Sequence, residues 1–120
     1  MRFADLVGRR VAVLGFGAEG RAACRAFRRH VPTQALHLFC SPAEADDALA
    51  LGDAGLAIDT SPATPEALNA FDVVIKSPGV SPYKPPVSDA LAAGVCFTSG
   101  SALWFAEHPD ANTIAVTAIV

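Results

Sequence analysis

The sequence lacks any apolar run close to the ~20 residues that a membrane span needs, so we expect no membrane-crossing segment. It also lacks a secretory signal pattern, because the charged segment 8–10 interrupts the apolar residues near the N-terminus. Cysteines are few: Cys24, Cys40 and Cys96 are odd in number and widely spaced, which argues against a disulfide framework and a metal site. These absences predict a cytoplasmic chain with buried, reduced thiols.

Apolar residues, by contrast, are abundant, at 52% of the 120 residues against 18% charged. This composition indicates one ordered domain with strands buried on both faces. Residues 1–30 hold seven of the nine basic residues and two of the twelve acids. Part of this basic charge forms one face of a predicted helix: Arg21, Arg25, Arg28 and Arg29. The other face carries Ala18, Ala22, Ala23, Ala26 and Phe27. We interpret the arginines as a solvated surface and expect no nucleic-acid partner, because no aromatic residues alternate with them.

Strand-like and helix-like segments alternate along the chain with short connections. This alternation predicts an α/β fold, a Rossmann-like, doubly wound, mostly parallel sheet with helices on both faces. The predicted strands are 10–14, 35–40, 56–59, 71–76, 95–98 and 113–120. The predicted helices are 18–30, 42–51, 64–70, 85–93 and 104–107. Ser41 and Glu44 predict a capping box at the start of the second helix.

The most informative motif is a Gly-x-Gly-x-x-Gly turn between the first strand and the first helix. Gly15 suits the tight turn, Gly17 lets a ligand approach the backbone, and Gly20 lets the helix pack closely on the sheet. A helix N-terminus at this point can hold a phosphate group. By itself the motif predicts a nucleotide or dinucleotide site.

The end of the second strand bears on which nucleotide this is. NAD sites usually place an acid there, and NADP sites an arginine, whereas this chain has Cys40 and Ser41 after Phe39. The nearest acid, Glu44, is assigned to helix capping. An NAD(P)-binding domain of an oxidoreductase therefore stays open on the glycine turn alone. A non-catalytic regulatory or interaction domain is a third possibility.

A second motif, Ser-Pro-Gly-Val at residues 77–80, directly follows a strongly apolar strand. Together with the glycine turn and segments 90–95 and 113–117, it resembles the N-terminal domain of Mur ligases, most closely those of the MurD type. The resemblance extends from the first strand to about Thr117. It implies a UDP-N-acetylmuramoyl-L-alanine-binding domain of an ATP-dependent, glutamate-adding ligase of bacterial peptidoglycan synthesis. A central domain binding ATP and magnesium and a C-terminal domain binding the amino acid would complete the enzyme.

The resemblance also implies roles for individual residues. Positions that match the diphosphate-binding turn are Gly15, Gly17, Ala18, Glu19 and Gly20. Positions that match the uridine pocket are Cys40 and Ser41 beside the uracil, with Ser77, Pro78 and Gly79. Glu19 stands where many relatives have threonine, and its carboxylate would repel a diphosphate unless it points away or pairs with an arginine.

We expect residues 1–98 to form the substrate-binding domain and residues 99–120 a linker and the first strand of an ATP-binding domain. No Gly-Lys-Ser/Thr phosphate loop follows Thr117, so the chain is expected to hold no ATP, magnesium or catalytic residue of its own. His30, His37 and His108 show no carboxylate or cysteine at ligand spacing and are assigned structural roles. Lys76 could reach an anionic ligand or extend to solvent.

Overall fold

Strands and helices alternate through residues 1–77 and 80–108, the part of the chain that the computed structural model describes. The strands are β1 (Val11–Leu14), β2 (Leu36–Phe39), β3 (Leu56–Asp59), β4 (Val73–Lys76) and β5 (Cys96–Thr98). The α-helices are α1 (Ala18–His30), α2 (Pro42–Leu49), α3 (Pro65–Leu68), α4 (Val87–Ala92) and α5 (Gly100–Glu107). A 3-10 helix at Phe3–Leu6, which the sequence analysis missed, precedes β1.

The five strands form one parallel sheet in the order β3-β2-β1-β4-β5. The chain builds outward from β1 to β2 and β3, then crosses back to place β4 on the other side of β1. This reversal puts the topological switch point between the carboxyl ends of β1 and β4, where Leu14 pairs in register with Lys76. The predicted Rossmann-like α/β fold is confirmed.

Both faces of the sheet are buried, as the high apolar content predicted. Every residue of β1 is buried. One face packs Val13 against residues of α1, α2 and α5, including the fully buried Phe27 and Leu103. The other face packs Val74 against α3 and α4, where Leu68 is fully buried. The helices therefore lie on both sides and leave the carboxyl edge of the sheet to the loops.

The predicted boundaries of most elements lie within two residues of those observed. Helix α5 is the exception, because it begins at Gly100 rather than Trp104. The Ser99 hydroxyl accepts a hydrogen bond from the Ala102 amide at 3.0 Å and caps the helix there. The predicted strand 113–120 lies outside the described residues.

The structure corrects the sequence analysis on two points of burial. The predicted apolar face of α1 included Ala18 and Ala22, which are exposed, and the buried stripe lies on neighbouring residues. That stripe consists of Gly20, Ala23, Cys24 and Phe27. Only Cys24 is a buried thiol, and its burial raises its pKa to about 12, whereas Cys40 is half-buried and Cys96 is exposed.

Arg28 does not lie on the free, solvated face of α1 that the sequence analysis expected. Its Nε donates to the Asp53 carboxylate at 2.9 Å. Its Nη1 donates to the carbonyl oxygens of Val31, Pro32 and Gln34 at 3.1, 3.1 and 2.7 Å. Arg28 therefore joins the end of α1 to the turn after α2 instead of contributing to a free cationic surface.

Helix α5 packs against α1 and buries Leu103 completely. The proposed domain boundary after residue 98 stays a prediction, since residues 109–120 of the segment 99–120 lie outside the described residues. Over residues 1–77 and 80–108, no helix has both the length and the apolar character needed to cross a bilayer.

Candidate functional site

The loops that carry the sequence motifs meet at the carboxyl edge of the sheet. The Gly15 amide donates to the Phe39 carbonyl at 2.8 Å, and the Cys40 amide donates to the Asp59 carbonyl at 3.0 Å. These bonds continue the ladders past the ends of β1, β2 and β3. These hydrogen bonds therefore hold the starts of the loops after β1, β2 and β3 side by side, as one rim of the sheet.

A cleft of about 520 Å³ opens above this rim. Leu14 and Phe39 give it apolar surface, and the loop 60–63 after β3 forms one wall. Of the predicted site residues, Gly15, Cys40 and Ser41 line this cleft. Mixed apolar and hydroxyl-bearing surface of this size suits a nucleoside-sized ligand.

The three glycines of the turn face different surroundings. Gly15 has φ +92°, and a Cβ there would lie 3.6 Å from the Ser77 Oγ, so the two signature loops lie side by side at this point. A Cβ on Gly20 would collide with the Gly15 carbonyl oxygen. A Cβ on Gly17 would meet nothing within 4 Å, so the N-terminus of α1 adjoins open space there.

Gly17, Ala18 and Glu19 line other grooves than this cleft. Gly17 and Ala18 line a neighbouring groove of about 560 Å³ with Arg21 and two further arginines of α1, Arg25 and Arg29. Glu19 lines a third groove, between α1 and α5. The side chains diverge because successive helical residues are rotated by ~100°.

The position of Glu19 removes the conflict that the sequence suggested. Its side chain is exposed on the groove that Gly100 and Trp104 also line. The groove beside Gly17 and Ala18, where a diphosphate would approach the turn, is lined by arginines and not by Glu19. The amides of the first turn of α1 nevertheless lack partners within the helix and can bind an anion.

Glu44 is engaged in capping α2, as predicted. Its Oε1 accepts hydrogen bonds from the Ser41 amide at 3.0 Å and the Ser41 hydroxyl at 3.1 Å. The acid nearest to the end of β2 in sequence is thus occupied by the protein itself. This weakens the case for a ribose-binding acid of the NAD type.

His37 has a carboxylate partner that the sequence analysis missed. Its Nε2 lies 2.9 Å from the Asp59 Oδ2, across the neighbouring strands β2 and β3. Asp59 Oδ1 also accepts a hydrogen bond from the Ser61 amide at 2.8 Å. The Ser61 amide and His37 hold the pKa of Asp59 below its usual value. No local motif signals this pair, because it depends on the register between two strands.

The Ser-Pro-Gly loop is described only at its ends. Ser77 is half-buried beside Gly15, and the Val80 amide donates to the Ser77 carbonyl at 3.0 Å. Pro78 and Gly79 lie outside the described residues. Lys76 is half-buried at the end of β4. Over the described ranges, no three His, Cys, Asp or Glu side chains are grouped so that they could hold a metal ion.

Comparison with known proteins matches the chain to one kind of enzyme. No protein-family model matches it. A UDP-N-acetylmuramoyl-L-alanine–L-glutamate ligase of Xanthomonas euvesicatoria is 51% identical over 112 residues, which are 93% of this chain and 24% of the relative. The Xylella fastidiosa protein of the same name is 51% identical over 119 residues, which are 99% of this chain and 25% of the relative. One from Salinispora tropica is 36% identical over an alignment of 131 residues, which covers 98% of this chain and 26% of the relative.

The chain spans about a quarter of the length of the curated relatives that it matches. The match nevertheless covers nearly all of the described fold, including the glycine turn and the residues that line the cleft. Over nearly its whole length the chain is therefore similar to part of ligases named for UDP-N-acetylmuramoyl-L-alanine and L-glutamate, the kind of enzyme that its motifs resemble.

Proposed function

We propose that this chain is the UDP-N-acetylmuramoyl-L-alanine-binding domain of an ATP-dependent MurD-type ligase of peptidoglycan precursor synthesis. The observation that carries the proposal is the proximity of the Gly15 turn to the Ser77 loop at the switch point of the sheet. Relatives at about half identity are named for this substrate and for L-glutamate. L-glutamate is accordingly the proposed amino acid.

The proposed ligand lies along the carboxyl edge of the sheet. The uracil and ribose occupy the cleft near Cys40 and Ser41, which has about 520 Å³ of room. The diphosphate crosses the glycine turn at the amides of Ala18 and Glu19, where Gly17 leaves open space. Ser77, Pro78 and Gly79 stay assigned to the uridine pocket on the resemblance of their motif.

The chain's own contribution to the reaction is binding and orientation. In the parent enzyme, a central domain holds ATP and magnesium, which activate the substrate carboxylate, and a C-terminal domain supplies the amino acid. The cleft described here holds the far, unreactive end of the substrate. Binding energy gained there helps to place the alanine carboxylate in the other domains. The proposed location is the bacterial cytoplasm.

Two alternatives give different binding results. An NAD(P)-binding domain has the glycine turn in its favour, but Glu44, although it lines the cleft, already accepts hydrogen bonds from the Ser41 amide and hydroxyl. A regulatory or interaction domain would keep the fold and bind neither kind of nucleotide. Titration with both ligand types separates all three.

Isothermal titration of the 120-residue chain tests the proposal. We expect saturable heat for UDP-N-acetylmuramoyl-L-alanine and for UDP with Kd below about 1 mM, and none for NADH or NADPH. Near-UV circular dichroism of the same sample controls for folding. Absence of heat with UDP-N-acetylmuramoyl-L-alanine at ~10 mM in a folded sample would contradict the proposal. Saturable NADH binding would favour the oxidoreductase alternative.

A further inference from the structure

His37 and Asp59 form a hydrogen-bonded pair across β2 and β3, next to Phe39 of the proposed nucleoside cleft. His37 is on β2, and its ring packs against Phe39 and Phe71 with centroids 4.7 and 5.0 Å apart. Asp59 is the last residue of β3. Both side chains are 27% exposed, so the pair is partly shielded from water. Phe39 also lines the cleft, so the histidine packs on one of the cleft residues.

Asp59 connects this pair to the cleft wall. One carboxylate oxygen faces the His37 Nε2 at 2.9 Å, and the other accepts from the Ser61 amide at 2.8 Å. Ser61 belongs to the loop 60–63, which lines the cleft together with Cys40 and Ser41. The Asp59 carbonyl also accepts from the Cys40 amide at 3.0 Å. A single residue is thus bonded to both sides of the cleft.

The histidine determines which way the carboxylate is turned. The terminal torsion of an aspartate is broad and roughly two-fold, so an unpaired carboxylate samples several orientations. A charge-assisted bond from the His37 N–H to Oδ2 leaves Oδ1 aimed at the Ser61 amide. Asp59 accepts in both bonds, so Nε2 is assigned as the donor. The loop wall is then preorganised before a ligand arrives.

We propose that His37 is a positioning residue that, through Asp59, fixes the wall at residues 60–63 and so sets the affinity of the cleft for the nucleoside half of a uridine diphosphate. The inference rests on the proposed function. His37 itself touches no ligand. Its effect reaches the site through Asp59 and the Ser61 amide.

Two substitutions separate positioning from simple packing. His37→Phe keeps an aromatic ring against Phe39 and Phe71 but removes the N–H donor. His37→Gln restores a donor without the ring. His30→Phe is the matched control, because His30 stacks on Phe3 at 4.5 Å at the far end of α1. If His37→Phe fails to fold, Asp59→Asn replaces it as the variant with a weakened acceptor.

UDP affinity is measured calorimetrically for each variant at a temperature where circular dichroism shows it folded. We expect His37→Phe to raise the Kd for UDP about tenfold. His37→Gln should bring the Kd to within about threefold of that of the unmodified chain. His30→Phe should bind UDP as tightly as the unmodified chain. The Ser61 amide resonance should move in His37→Phe without ligand. Unchanged UDP affinity in His37→Phe, or no recovery in His37→Gln, overturns the positioning role alone. Failure of the unmodified chain to bind UDP overturns the proposed function and the inference together.

Discussion

Alanine in place of Gly20 is expected to lower the free energy of unfolding by about 3 kcal/mol or more. The added Cβ would collide with the Gly15 carbonyl oxygen and lie 2.9 Å from its carbonyl carbon. These are backbone atoms of the turn that joins β1 to α1, so the strain has no flexible side chain to relax into. Alanine's better helix propensity returns only ~1 kcal/mol.

Gly100→Ala is the matched control for this prediction. It makes the same change at the first residue of α5, where a Cβ would lie 3.7 Å from the Ala23 Cβ, an ordinary contact. We expect its stability to be unchanged or to rise by up to ~1 kcal/mol. Urea denaturation followed by circular dichroism measures both variants. Equal stabilities for the two would show that the close approach of α1 to the turn is not a real constraint.

Valine in place of Gly17 is expected to leave the fold nearly intact and to weaken UDP binding at least ~30-fold. Gly17 caps α1 with φ −78° and ψ −164°, an extended backbone that any residue can adopt. A Cβ there meets nothing within 4 Å. The stability cost is therefore limited to about 1 kcal/mol for a poor N-cap residue. The valine side chain would occupy the open space proposed for the diphosphate.

Uridine provides the internal control for Gly17→Val. Uridine fills the proposed cleft near Cys40 but carries no diphosphate, so its affinity should change less than ~3-fold. Calorimetric titration of both ligands into both proteins gives the comparison. If Gly17→Val bound UDP as tightly as the unmodified chain, the diphosphate would not lie on the glycine turn. If it lost uridine and UDP equally, the substitution would have disturbed the cleft itself.

Most of the fold could be predicted because its signals are local. Helix α1 follows the glycine turn and ends as β-branched Val31 and Pro32 interrupt it, and its predicted bounds match those observed. Ser41 and Glu44 likewise mark the start of α2 within four residues of sequence. Helix α5 was predicted too short because Gly100 and Ser101 are weak helix formers, and only the cap by Ser99 reveals where the helix begins.

The site could be predicted in part, for the same physical reason. Loops after neighbouring parallel strands must meet at one edge, so the convergence of Gly15, Cys40 and Ser77 followed from their positions alone. The divergence of Ala18 and Glu19 onto separate grooves depends on the rotation of the helix against the sheet. The contact of His37 with Asp59 depends on the register of β2 against β3. Local sequence patterns do not specify these relationships.

The central claim is that a uridine diphosphate binds across the glycine turn and into the adjoining cleft. Its most direct test is a titration of the ¹⁵N-labelled chain with UDP, followed by backbone amide chemical shifts. We expect the largest shifts at Gly15, Ala18, Cys40, Ser41 and Ser77. Shifts confined to the amino edge of the sheet, around Gln34 and Ala35, or the absence of any saturable shift, would contradict the claim.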